Sequence, residues 1–136
     1  MKKHARLVTG LSLLFALICI WAYHLRETWL LEESLRVEAN VLLNAHRGSS
    51  ETAADSTAVV AAGRTLPVVG DVWGKVSVFT RLDNTGGGPA YHGIEYFYAY
   101  EEGSWRITES SGCTSPECQI LAENAFEAMS FADTAE

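Results

Sequence analysis

Hydrophobic and polar positions divide the chain into one long uninterrupted apolar run followed by shorter periodic segments. Leu7–Tyr23, LVTGLSLLFALICIWAY, carries no charge and follows Lys2, Lys3 and Arg6. As an α-helix its seventeen residues rise about 25 Å, at the short end of what a bilayer span needs. From Leu25 to Arg47 the pattern changes to a helical period. Leu30, Leu31, Leu35, Val37, Val41, Leu42 and Ala45 share one arc, opposite Glu32, Glu33, Arg36 and Asn40. Ser34 and Glu38 interrupt that arc, with Glu38 expected at its edge and its carboxylate reaching water. Gly48 is placed as a C-cap. If continuous with the apolar run, this segment forms a stalk. The domain either folds back on it, or its Leu31, Leu35 and Leu42 face pairs with a partner helix.

The polar stretch Gly48–Thr57 reads as a linker and helix start, and a short helix is expected around Thr52–Ala62, closed by Gly63. Pro67 forces an extended conformation on Leu66. A period of two then takes over. Val72–Leu82 places Val76, Val78, Thr80 and Leu82 on one face and Trp73, Lys75, Ser77, Phe79 and Arg81 on the other. Asp83–Pro89, with three consecutive glycines, reads as a hairpin loop. Tyr91–Tyr100 is a second strand with Ile94, Tyr96, Tyr98 and Tyr100 on one face. Glu101-Glu102-Gly103-Ser104 is a tight turn with Gly suited to positive φ, and Trp105–Ser110 returns as a third strand. Such a meander needs a helix over its open face. Ser115-Pro116-Glu117 starts a final helix in N-cap, N1, N2 order. Cys118, Leu121, Ala125 and Met129 follow at helical spacing with Phe126 alongside, and Ala132–Glu136 is expected to fray. The predicted fold class is α+β, a transmembrane helix followed by a small antiparallel meander packed against helices. Its divisions are a leader and anchor over 1–24, a stalk helix over 25–47 and an extracytoplasmic domain over 48–136.

Charge sets the expected topology. Lys2, Lys3 and Arg6 precede the apolar run, and Glu27, Glu32 and Glu33 follow it, with Trp21, Tyr23 and Trp29 at its far interface. The positive-inside rule puts the N-terminus in the cytoplasm and the remainder in the periplasm, with lipid contacted through residues 7–23 of an inner-membrane anchor. A cleaved signal peptide is the alternative, but Ile20-Trp21-Ala22-Tyr23 lacks the small-residue cleavage pattern. A lipobox is excluded by Ile18 before Cys19, which is expected to be a small apolar residue in the span. From Leu25 onward seven Lys and Arg face seventeen Asp and Glu, a formal balance of −10. An acidic domain is repelled by phosphate backbones, which excludes nucleic acid. Anionic headgroups repel it too, so it is expected to stand off the membrane or dock on a protein.

Candidate chemistry is sparse. Cys113 and Cys118, in C-T-S-P-E-C, are close enough for a disulfide in an oxidising compartment. Free thiols are the alternative. Metal work needs ligands beyond this pair, and redox work favours C-x-x-C, so no metal is expected. His4 and His24 lie at the leader and the interface, and His46 in the stalk. His92 and Glu95 are three apart on a strand and point to opposite faces. No hydrolase, metalloprotease, Walker or dinucleotide-binding motif is present. No catalytic residue or cofactor is expected, and a small-molecule ligand is not. The aromatic row Tyr96, Tyr98, Tyr100 and Trp105 reads as core beneath a covering helix, or as a ligand groove or protein-docking face.

Ala58–Ser110 has a short apolar segment ending near Gly63, a strand at Gly74–Leu82 and a closing strand pair around Gly103-Ser104-Trp105. That layout, after a membrane helix, resembles the cytochrome oxidase assembly factor 1 family. The resemblance implies a non-enzymatic factor, anchored in an energy-transducing membrane and assisting assembly of a larger complex. A broader likeness is to cystatin- and nuclear-transport-factor-2-like domains, which implies a ligand-binding or enzymatic pocket. A pilin-like layout is a third likeness, without the early glutamate of a pilin. The expected function is a membrane-anchored interaction domain serving as assembly factor or accessory subunit for a protein partner.

Overall fold

A computed structural model describes residues 2–49, 55–82, 90–113 and 115–134. The Asp83–Pro89 hairpin loop and much of the 48–57 linker lie outside the described residues. The first helix, α1, runs without a break over Lys2–Ser49, so the apolar run and the amphipathic segment are one rod. It is long and apolar enough to cross a membrane. From Leu7 to Tyr23 its large side chains are exposed, Leu7, Phe15 and Trp21 by more than 60% each. Past Glu27 the same helix starts to pack.

Four strands follow, β1 (Ser56–Arg64), β2 (Val72–Leu82), β3 (Ala90–Glu101) and β4 (Ser104–Cys113), then a second helix, α2 (Pro116–Thr134). The strands form one antiparallel sheet in the order β1-β2-β3-β4. β1 corrects the expected helix over Thr52–Ala62. Alanines favour a helix, but propensity is a weak prior that tertiary context overrides, and β-branched Thr57, Val59 and Val60 favour a pleated surface. Pairing decides it: nine residues of β1 face nine of β2 without a register break, and the strand packs under α1. Gly63, expected as a helix stop, lies inside the strand, where the ring of Trp73 covers it. The other strands fall where alternation places them, with β4 extending one residue earlier and three residues later than expected. The Glu101–Ser104 turn carries positive φ at both centres, Glu102 at 51° and Gly103 at 81°, as a two-residue hairpin requires.

The two sheet faces are covered by different helices. Leu35 and Ala39 of α1 are buried against Ala62, Val76, Val78 and Tyr98, with Leu31, Leu42, Leu43, Ala58 and Val60 around them. On the opposite face Phe79 and Cys113 pack with Cys118, Ala122 and Phe126 of α2. Ser115 precedes α2 as its N-cap, and its Oγ accepts the Cys118 amide at 3.3 Å. Tyr91 faces the side of β3 beyond the last β4 pair, Gly93 with Cys113. There Gln119 stands in for the missing strand, donating to the Tyr91 carbonyl at 3.0 Å and accepting its amide at 3.4 Å.

Candidate interaction surfaces

The stalk leucines, read as a face the domain folds back on or one that pairs with a partner helix, and the aromatic row, read as core beneath a helix or as a docking face, meet each other. Leu31, Leu35 and Leu42 pack on the sheet face that carries Tyr96, Tyr98 and Trp105, all in one cluster. Leu35 is fully buried and Tyr98 is 5% exposed, whereas Tyr100 at 39% stays on the rim. The Trp105 indole N–H donates to Ser34 Oγ at 2.9 Å, which gives the serine that interrupts the apolar arc a partner. Trp105 sits edge-on to Tyr98 and Tyr100, with ring centres 6.4 and 5.0 Å away. Gly74 lies beneath, where an added Cβ would come within 2.6 Å of Leu35 Cδ2 and 2.8 Å of Trp105 Cζ3. Burial, with the charge of Glu38 and then Tyr96 nearby, pushes the Tyr98 phenol up to about 12. The hydroxyl is therefore held neutral, as an apolar interior demands.

Two contacts lay α1 along β1. Arg64 Nε and Nη2 donate to Glu27 Oε1 at 2.9 and 2.6 Å, and Arg47 Nη2 donates to the Ser56 carbonyl at 3.1 Å. The hydrogen bond from Arg64, with its charge, holds the Glu27 carboxyl below its ordinary value against partial desolvation. About 20 helix residues between the two contacts rise about 30 Å, and the matching stretch of β1 extends about 27 Å. Helix and strand therefore run nearly side by side in opposite directions.

Among the described residues, no strand pairs with the outer side of β1, which is half-exposed at Ala58 and Val60 and buried at Ser56 and Ala62. The Arg81 amide donates to the Asp55 carbonyl and the Thr65 amide to the Asp71 carbonyl, both at 3.0 Å. In an antiparallel ladder these bonds fix the phase. Odd-numbered residues of β1 bond to β2, and the backbone groups of Ser56, Ala58, Val60, Ala62 and Arg64 point away from the sheet. Among the described residues, Arg47 on the Ser56 carbonyl is the hydrogen bond that reaches this row. Beside it lies a cleft of about 420 Å³. Thr57–Val60 form its floor, Arg36 of α1 one wall, and Ala125, Ala128 and Met129 of α2 the other. Val59 and Val60, a β-branched pair, were the sequence signal for this edge.

Cys113 and Cys118 are joined as a disulfide, with Cα atoms 5.9 Å apart. It ties the end of β4 to the first turn of α2. Glu95 lies within 4.8 Å of both sulfurs, but a disulfide offers no thiolate to a metal, and Lys75 Nζ already donates to Glu95 Oε1 at 2.6 Å. His92 and Glu95 lie on opposite sheet faces, and His24 is half-buried on α1. No family model matches the chain, and neither a curated protein nor a solved structure matches it.

Proposed function

We propose that the chain is a non-enzymatic, single-pass membrane protein whose periplasmic α+β domain serves as an assembly factor or accessory subunit of a membrane complex. In this reading α1 is an inner-membrane anchor with its basic end in the cytoplasm. The exposed apolar surface of Leu7–Tyr23, the charges flanking it and a disulfide suited to an oxidising compartment support that placement. The likeness to cytochrome oxidase assembly factor 1 favours the same role.

The observation that carries the interaction role is the open edge of β1. Among the described residues, no hydrogen bond reaches the outward backbone groups of Ala58 and Val60, which lie beside an uncharged floor and the wall of α2. Such an edge accepts an extended segment as an added strand, with main-chain bonds supplying affinity. The partner is an extended, largely apolar segment of a membrane-complex subunit, pairing as a fifth strand outside β1.

Val60→Pro tests this in full-length protein extracted in mild detergent. The Val60 N–H points away from β2, so proline removes a docking group and leaves the β1–β2 ladder bonded. Wild type is expected to co-elute with a stoichiometric membrane partner, and the variant, with its disulfide and circular dichroism unchanged, to lose about tenfold or more in retention. A folded variant that retains its partner, or a wild-type protein that elutes alone, overturns the reading. Pairing of β1 with a second copy would instead yield a homodimer lost in the variant.

A further inference from the structure

The β1–β2 turn, Thr65–Asp71, is the most apolar exposed loop among the described residues. Leu66, Pro67, Val68 and Val69 follow one another without a charge, and Leu66, Val68 and Val69 are 61%, 42% and 81% exposed. The loop is ordered by its own bonds: the Gly70 amide donates to the Leu66 carbonyl and Thr65 pairs with Asp71. Val68 holds φ at 73°, a left-handed conformation that Gly or Asn adopts at far lower cost than a β-branched residue. Turn formation alone therefore favours another residue there, and water favours none of these side chains.

The loop's position names what covers them. Arg64 bonds Glu27 of α1 with one part of its guanidinium, and Nη1 donates to the Gly70 carbonyl at 2.8 Å. One side chain thus ties the turn to α1 just past the end of the uncharged run at Tyr23. Because β1 descends alongside α1, two to three residues beyond Arg64 carry the tip about 7–10 Å further. That brings it level with Trp21–Tyr23.

We propose that Leu66–Val69 is a second membrane contact, inserting its apolar side chains into the interface of the bilayer that α1 crosses. The inference rests on the reading of α1 as a membrane span. Its chemistry is hydrophobic, because a domain with a formal balance of −10 gains nothing from anionic headgroups. The other turn at this end of the sheet shows the contrast. Glu101 and Glu102 lie beside Trp105, whose indole is bonded to Ser34, seven residues and about 10 Å further along α1 than Glu27. The acidic turn is therefore lifted away from the bilayer while the apolar one meets it, and the pair of contacts fixes the tilt of the domain.

Site-specific labelling of full-length protein tests this. In a Cys19→Ala background, a nitrobenzoxadiazole label is placed at Val69→Cys, at Trp21→Cys as the span control, or at Glu102→Cys as the water control. The protein is reconstituted into phosphatidylcholine vesicles carrying a nitroxide near the carbonyl end of the lipid chain. Val69 and Trp21 are exposed, so a label there displaces no packing. The emission at position 69 is expected to shift to the blue and be quenched within about twofold of position 21, at the 5–10 Å depth of an interfacial element. Position 102 is expected to stay bright. If position 69 behaves like 102 while 21 is quenched, the second contact is overturned and the span stands. If 21 is not quenched either, the span reading itself fails and takes the inference with it.

Discussion

β1 and β4 both close the sheet, yet their surroundings differ. β4 carries Arg106, Thr108, Glu109, Ser110 and Ser111, all exposed, and a bulge opposite Phe97 and Tyr98 breaks its register. Charge and irregularity are how soluble sheets protect an edge from pairing. From Ser56 to Gly63 β1 has no charge, no proline and no bulge. It is covered on one side by α1, flanked by α2, and half-exposed along its outer row at Ala58 and Val60, while Ser56 and Ala62 are buried. One edge carries charge and a bulge, and the other carries neither.

The contrast breaks first within β1 itself. Val59→Pro removes an amide bonded to β2 and is expected to cost about 3 kcal/mol or more, read as a large fall in thermal midpoint. Val60→Pro, one residue on, is expected to cost about 1 kcal/mol. Equal losses would mean that the inner and outer rows are misassigned. Leu35→Ala hollows the contact that holds α1 over β1 and is expected to cost about 3 kcal/mol by chemical denaturation. On the β4 side, replacing Cys113 and Cys118 with serine opens a short loop and is expected to cost about 2 kcal/mol, with the loss confined to α2 and the end of β4 in amide exchange.

Beneath the aromatic corner, Tyr98 is raised from 10.0 to about 12. The neutral form is the one the fold holds, so this contribution is complete below pH 10 and is lost as pH rises from 10 towards 12. Tyr98→Phe is expected to flatten that alkaline limb of the stability profile. The smallest effect is a gain: Val68→Gly relieves the left-handed residue at φ 73° and is expected to add about 1 kcal/mol in detergent.

Much of the architecture is legible in residue spacing. The charge-free run, the alternation in β2 and β3, the Glu102-Gly103 turn and the Ser115 cap each depend on local physics. β1 does not. Its alanines read as helix, and only the ladder to Val72–Thr80 makes it a strand, a non-local event with no local signature beyond Val59 and Val60. The two candidate faces show a second gap. Periodicity marks Leu31, Leu35 and Leu42 and also Tyr96, Tyr98 and Trp105 as apolar surfaces needing a partner, but not that each is the other's partner. The Arg64–Glu27 clamp spans 37 positions and joins two residues that read separately as ordinary surface charges. From it follow both the alignment of α1 with β1 and the placement of the Leu66–Val69 turn.

Residue-resolved amide exchange tests the open edge most directly, with the purified protein compared with the same protein held in its mild-detergent complex. Alone, the Ala58 and Val60 amides are expected to exchange far faster than those of Val59 and Ala61, whose bonds run to β2. In the complex, Ala58 and Val60 are expected to become as protected as their neighbours. Outward amides that exchange as fast in the complex as in isolation would contradict strand addition at β1.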